Sequence, residues 1–175
     1  MSKCKENDMN PIRLANDNDW PNIWPIFSKV AQAGDTYAYP RNITNAEAKT
    51  MWVKAPQKTF VYEEDGEILG TYYIKPNQAG PGDHVCNCGY MVAEQARGKG
   101  IARKLCEHSQ TVALELGYQA MQYNFVASSN KVAVNLWQKL GFAVVGTLPK
   151  AFNHPTQGYV DALVMYKWLA SVIFR

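Results

Sequence analysis

The sequence predicts an α/β (α+β) protein, and three observations carry that expectation. Apolar residues fill 47% of the 175 positions and charged residues 19%, enough to bury a sizeable core and too apolar for a disordered chain. Segments with helical periodicity alternate with strand-like segments along the whole chain. Short Gly, Pro and Asn clusters punctuate them, with no repeat, linker or low-complexity tract. The expectation is a single domain over residues 1–175, with its core from about 11 to 169.

Taken in order, Ile12 to Ala15 reads as a first strand. Asn16 or Asp17 can cap a helix that places Trp20, Ile23, Trp24 and Phe27 on one face, and Gly34 ends it. A Tyr- and Thr-rich loop runs to Pro40. Thr44 opens a second helix to about Val53, with Glu47 completing a capping box. Thr59 to Glu63 and Ile68 to Lys75 flank Asp65-Gly66 as a β-hairpin. His84 to Val92 is the next strand. Ile101, Leu105, Cys106, Val112, Ala113 and Leu116 then mark the strongest helix, closed by Gly117. Ala120 to Ala127 is a strand, Asn130 opens a shorter helix, and Phe142 to Gly146 and Val160 to Leu169 complete the strands.

Composition excludes several classes. The net charge of +3 comes from 18 basic and 15 acidic residues spread along the chain, without the dense basic stripe of a nucleic-acid binder. No stretch approaches the apolar length of a membrane span, and the polar start Met1 to Asn10 does not read as a signal peptide. A cytoplasmic protein is expected, with Cys4, Cys86, Cys88 and Cys106 as reduced thiols. His84, Cys86 and Cys88 alternate along one strand face, but no fourth ligand accompanies them, so no metal is expected.

Chemistry concentrates between Val85 and Ala102. An apolar strand ends at Met91-Val92, and Gln95-Ala96-Arg97-Gly98-Lys99-Gly100 leads directly into the strongest helix. Such a turn aims several backbone N–H groups at one point, where the helix dipole adds roughly half a positive charge. Arg97 and Lys99 add two more cations, so a phosphate or diphosphate is the natural occupant. A dinucleotide fingerprint needs a small residue at position 103, which is Arg, and no P-loop run exists.

The arrangement that remains, Gln95-x-x-Gly98-x-Gly100, resembles the diphosphate signature of the GNAT acyl-CoA N-acyltransferases. A second signature of that family is similar to Asn130, Ala133, Leu136-Trp137 and Leu140-Gly141-Phe142, at the expected distance. The resemblance implies a mixed, mostly antiparallel sheet of about seven strands with about four helices. Two central strands, His84–Val92 and Ala120–Ala127, would splay to admit acyl-CoA. Acetyl-CoA is then the expected co-substrate, with Tyr90, Met91 and Val92 along its pantetheine arm. Gln95, Ala96, Arg97, Gly98, Lys99, Gly100, Ile101 and Ala102 would surround its diphosphate, with Asn130 and Trp137 beside it.

The same resemblance implies N-acetyl transfer to the primary or secondary amine of a small molecule, by direct attack on the thioester, and the subgroups most similar in appearance are those that act on amino acids and their analogues. The Met91 or Val92 N–H would face the developing oxyanion. Many family members carry a Glu where this chain has Asn87, and a Tyr where it has Trp137. An amide accepts no proton at neutral pH and an indole is no usable acid. Asn87 and Asn124, on the two splayed strands, are the candidates to grip the acceptor amine or a water. Thr36, Tyr37, Tyr73 and Tyr159 join them as candidate acceptor contacts. The partners expected are a small amine, with no nucleic acid and no membrane; a homodimer is compatible. Two alternatives stand beside this: a non-catalytic acyl-CoA sensor, and a protein or peptide N-acetyltransferase.

Overall fold

The computed structural model describes residues 10–170. The expected thiol Cys4 lies outside the described residues. Among those described, seven strands form one sheet in the order β1-β2-β3-β4-β5-β7-β6. The strands are β1 (Ile12–Leu14), β2 (Lys58–Glu64), β3 (Glu67–Pro76), β4 (Val85–Val92), β5 (Ala120–Ala127), β6 (Ala143–His154) and β7 (Gly158–Trp168). Every neighbouring pair is antiparallel except β4 and β5. The helices are α1 (Trp20–Ala33), α2 (Asn45–Lys49), α3 (Ile101–Glu115) and α4 (Lys131–Lys139). This is the mixed, mostly antiparallel α/β arrangement the sequence led us to expect.

β3 shows why the sheet can carry helices on both faces. Residues 68–74 of this strand are all buried, as a strand covered on both sides requires. Thr71 and Tyr73 point to one face, where the Trp52 indole donates to Thr71 Oγ1 (3.1 Å) and packs edge-on against Tyr73 at 4.9 Å. Gly70 and Tyr72 point to the other, where Tyr72 Oη lies 2.8 Å from His108 Nδ1 of α3. A Cβ on Gly70 would sit 3.0 Å from Ile101 and 3.1 Å from Leu105, so the bare backbone is what lets the start of α3 lie close to the sheet. That contact seats the helix N-terminus at the end of β4.

Local signals account for most boundaries. Asp65 and Gly66 both have positive φ (52° and 78°), the twist a two-residue hairpin requires. The capping box is present: Thr44 Oγ1 accepts from Glu47 N, and Thr44 N donates to Glu47 Oε2. α2 runs on through a π-helical turn at Thr50–Lys54. The first helix starts later than expected, at Trp20, because Asp19 takes the cap position. Its carboxylate, however, is held by Arg13 at 2.8 Å through both oxygens, tying β1 to α1 instead of capping. The final hairpin is longer than expected. β6 continues past Gly146 to His154 through irregularities at Val144/Gly146 and Leu148/Phe152, with Lys150 at φ 54°.

Candidate functional site

β4 and β5 are paired only at Val85–Ala120 and Cys86–Met121, and then diverge. Three features hold the fork open. Asn87 bridges it, donating through Nδ2 to Gln122 O (2.9 Å) while its Oδ1 accepts from Tyr73 Oη (2.9 Å). β5 bulges between Tyr123 and Val126. Beyond Asn87, the Tyr37 hydroxyl takes the place of a strand partner: it accepts from Tyr90 N (2.7 Å) and donates to Tyr90 O (2.8 Å). The Tyr37 ring is fixed by stacking on Tyr39 at 5.5 Å and by the edge of Trp52 at 6.3 Å.

The Tyr37 bonds fix which β4 amides face the fork. Tyr90 turns its backbone groups toward it, so by strand alternation Met91 turns its own toward β3, where it stands opposite Thr71. Ala93 N donating to Leu69 O continues that ladder. Val92 N–H therefore faces the fork and Met91 N–H does not. This corrects the expectation for Met91, whose amide belongs to the sheet.

A cavity of about 450 Å³ fills the fork. Thr36, Tyr37, Tyr73, Asn87, Tyr90, Asn124, Asn130 and Trp137 all line it, so the structure brings these expected residues together. Tyr159 does not join them. The longer β6–β7 hairpin carries it away, and its side chain is 69% exposed. Asn124 sits on the bulge with its amide already engaged, accepting from Gln122 Nε2 and donating to Asn77 Oδ1. Trp137 packs 5.1 Å from Tyr90 and 5.3 Å from Tyr123. Asn130 caps α4, its Oδ1 accepting from Ala133 N.

Tyr39, on the loop expected to help build the acceptor pocket, also lines the cavity, and so do Lys75 and Tyr123, which the sequence reading missed. Tyr123 Oη lies 3.1 Å from Tyr90 Oη, which in turn contacts Ser109 Oγ at 2.7 Å. Burial raises the phenols of Tyr37, Tyr73, Tyr90 and Tyr123 and pushes Tyr39 up to about 12. Burial likewise raises the Cys88 thiol. These groups stay protonated at neutral pH and can donate but not accept protons.

Beside the fork, the turn between β4 and α3 fits a diphosphate. Gly98 and Gly100 have φ of 80° and 77°, and a Cβ on either would project into open space. The N–H groups of Gly98, Gly100, Ile101, Ala102 and Arg103 find no acceptor among the described residues, and α3 has no side-chain cap. Five unpaired donors at a helix start, with Arg97 and Lys99 exposed next to them, suit a multiply charged anion. Gln95 turns away, its side chain donating to Glu67 Oε1 (3.0 Å), while Ala96 is buried beneath the turn. Among the described residues no group of three or more His, Cys, Asp or Glu is placed to hold a metal ion, and no helix is long and apolar enough to cross a membrane.

Asn87→Ala strands the Gln122 carbonyl and the Tyr73 hydroxyl inside the fork. A loss of about 1–3 kcal/mol in unfolding free energy is expected, read from denaturant titration. Stability within a few tenths of wild type would show that the bridge holds nothing.

Comparison with known proteins agrees with this geometry. The family model for the acetyltransferase (GNAT) family matches residues 20–142. The N-acetyltransferase aca1 of Schizosaccharomyces pombe is 36% identical over 98 residues, 55% of this chain and 47% of that protein. The chain thus spans about half the length of the curated relative it matches. The solved GCN5-related N-acetyltransferase from Kribbella flavida is 46% identical, with a TM-score of 0.86 over 90% of this chain and 96% of that one. The structure of yncA from Salmonella typhimurium with its cofactor acetyl-CoA shares the fold at a TM-score of 0.81 and 22% identity, over 94% of this chain and 96% of that one. The family model covers most of the chain and both of its motifs, and the protein belongs to the GNAT family of acetyltransferases.

Proposed function

We propose that the protein transfers the acetyl group of acetyl-CoA to the amine of a small molecule by direct attack on the thioester. The observation that carries this reading is the position of the cavity and the N–H nest on one fork. The five unpaired N–H groups from Gly98 to Arg103, with Arg97 and Lys99, would hold the diphosphate. Acetyl-CoA supplies an activated acyl group and a thiolate leaving group of pKa ~8.5, which departs near neutral pH without full protonation. Val92 N–H, the fork-facing amide of β4, would steady the charge that develops on the acyl oxygen. Tyr90, Asn130 and Trp137 line the cavity.

A volume of about 450 Å³ lined by aromatic rings and three Asn amides matches a small acceptor better than a polypeptide. Asn87 acts by holding the fork at its narrow end. Trp137 supplies a wall and no proton.

Release of free CoA thiol across a panel of small amines and peptides, with calorimetry on CoA alone, tests the reading. Turnover on a small amine is the expected result. Turnover on peptides alone would assign a protein substrate, and CoA uptake without turnover would assign a sensor. No CoA uptake at millimolar ligand would remove the acyl-CoA reading altogether.

A further inference from the structure

We infer that the acceptor carries an anionic group beside its amine and that Lys75 is the residue that selects it. The inference rests on the reading above that the β4–β5 cavity receives the acceptor.

Among the described residues, Lys75, which is exposed, is the one charged residue that lines the cavity, and no Asp, Glu or His lines it. It is the penultimate residue of β3, directly opposite Asn87, the residue that bridges the fork. Its ammonium lies 5.4 Å from the centre of the Tyr73 ring, within cation–π range, and the Tyr73 hydroxyl is bonded to Asn87. Lys75 forms no ion pair among the described residues, where the pairs are Arg13–Asp19, Arg13–Glu63, Lys29–Glu94 and Arg103–Glu107. The cavity therefore presents one unpaired cation, several neutral phenols and amides, and no anion.

That charge pattern sorts acceptors. A purely cationic amine, such as a diamine, meets an ammonium and no carboxylate, and is repelled. An amine with an adjacent carboxylate pairs its anion with Lys75 and keeps its nucleophile. Lys75 is thus a specificity-determining residue, acting on the acceptor's anion and not on the acyl transfer itself.

The test pairs small α-amino acids with their carboxamides in the thiol-release assay, on wild type, Lys75→Arg and Lys75→Gln, with every kcat/KM expressed per neutral amine because the carboxamides' amines are the more acidic. Wild type is expected to favour the acids by at least about 10-fold in kcat/KM. Lys75→Gln should lower kcat/KM for the acids by about 10- to 100-fold, the range of one charge-assisted hydrogen bond, mostly through KM. Lys75→Arg, which keeps the charge, should restore most of the preference. Carboxamides used as well as acids by wild type, or an acid-to-amide ratio that Lys75→Gln leaves in place, would overturn the inference and leave the acetyltransferase reading standing. Absence of turnover on every acceptor, with CoA still bound, would overturn both.

Discussion

Gly98→Val is expected to weaken CoA binding by about a hundredfold to ten-thousandfold in calorimetry while the protein stays folded. Gly98 has φ of 80°, where a β-branched residue is strongly disfavoured, and the turn must distort to accept one. A Cβ there would meet no atom within 4 Å, so the added side chain would enter the open space expected to receive the anion. Distortion misaligns the neighbouring N–H donors. Losing two bonds to a charged group, at about 1.5–3 kcal/mol each, corresponds to that range of affinity. Gly158→Val is the matched control: its φ is 72°, it also has open space, and it lies at the β6–β7 turn away from the nest. Both variants should lose similar thermal stability, and only Gly98→Val should lose CoA. Wild-type affinity in Gly98→Val would mean that the diphosphate binds elsewhere.

What could be read in advance and what could not separates along physical lines. Features written in short stretches were legible: the Asp65-Gly66 turn, the Thr44/Glu47 capping box, the glycine-rich turn before α3, and the Asn130 cap. Each is a local match between residue type and backbone geometry. The expected strand stops at Gly146, and the full length of β6 stays hidden because the hairpin absorbs Pro149 and Lys150, the latter at φ 54°, as an irregularity that a regular strand pattern does not show. Tyr159 was misplaced for the same reason. The Tyr37 bond to Tyr90 joins residues 53 positions apart and leaves no local trace, so the direction of the Met91 amide could not be foreseen. Lys75 reads only as the end of the second hairpin strand. The available signal was its two-residue spacing from Tyr73 and its register opposite Asn87, which only strand pairing reveals.

The pH profile should report the acceptor and not the enzyme. Below the acceptor's own pKa, kcat/KM is expected to rise about tenfold per pH unit and then level off. The argument is one of elimination among the groups that line the cavity. Among the described residues no carboxylate or imidazole lines it. Burial moves the phenols of Tyr37, Tyr73, Tyr90 and Tyr123 and the Cys88 thiol upward, so across pH 6–9 they hold their protons and cannot serve as bases. Tyr39, at about 12, is no better. Asn87 and Asn124 are amides, and an ammonium such as that of Lys75 has donors only. The amine must therefore react in its neutral form and give its proton to water. For an amine of pKa ~10, only about one molecule in a thousand is neutral at pH 7. An acceptor whose amine is two units more acidic should carry the midpoint two units lower. A midpoint that stays near pH 6–7 for both acceptors would instead identify an enzymic base, and would place it outside the residues that line this cavity.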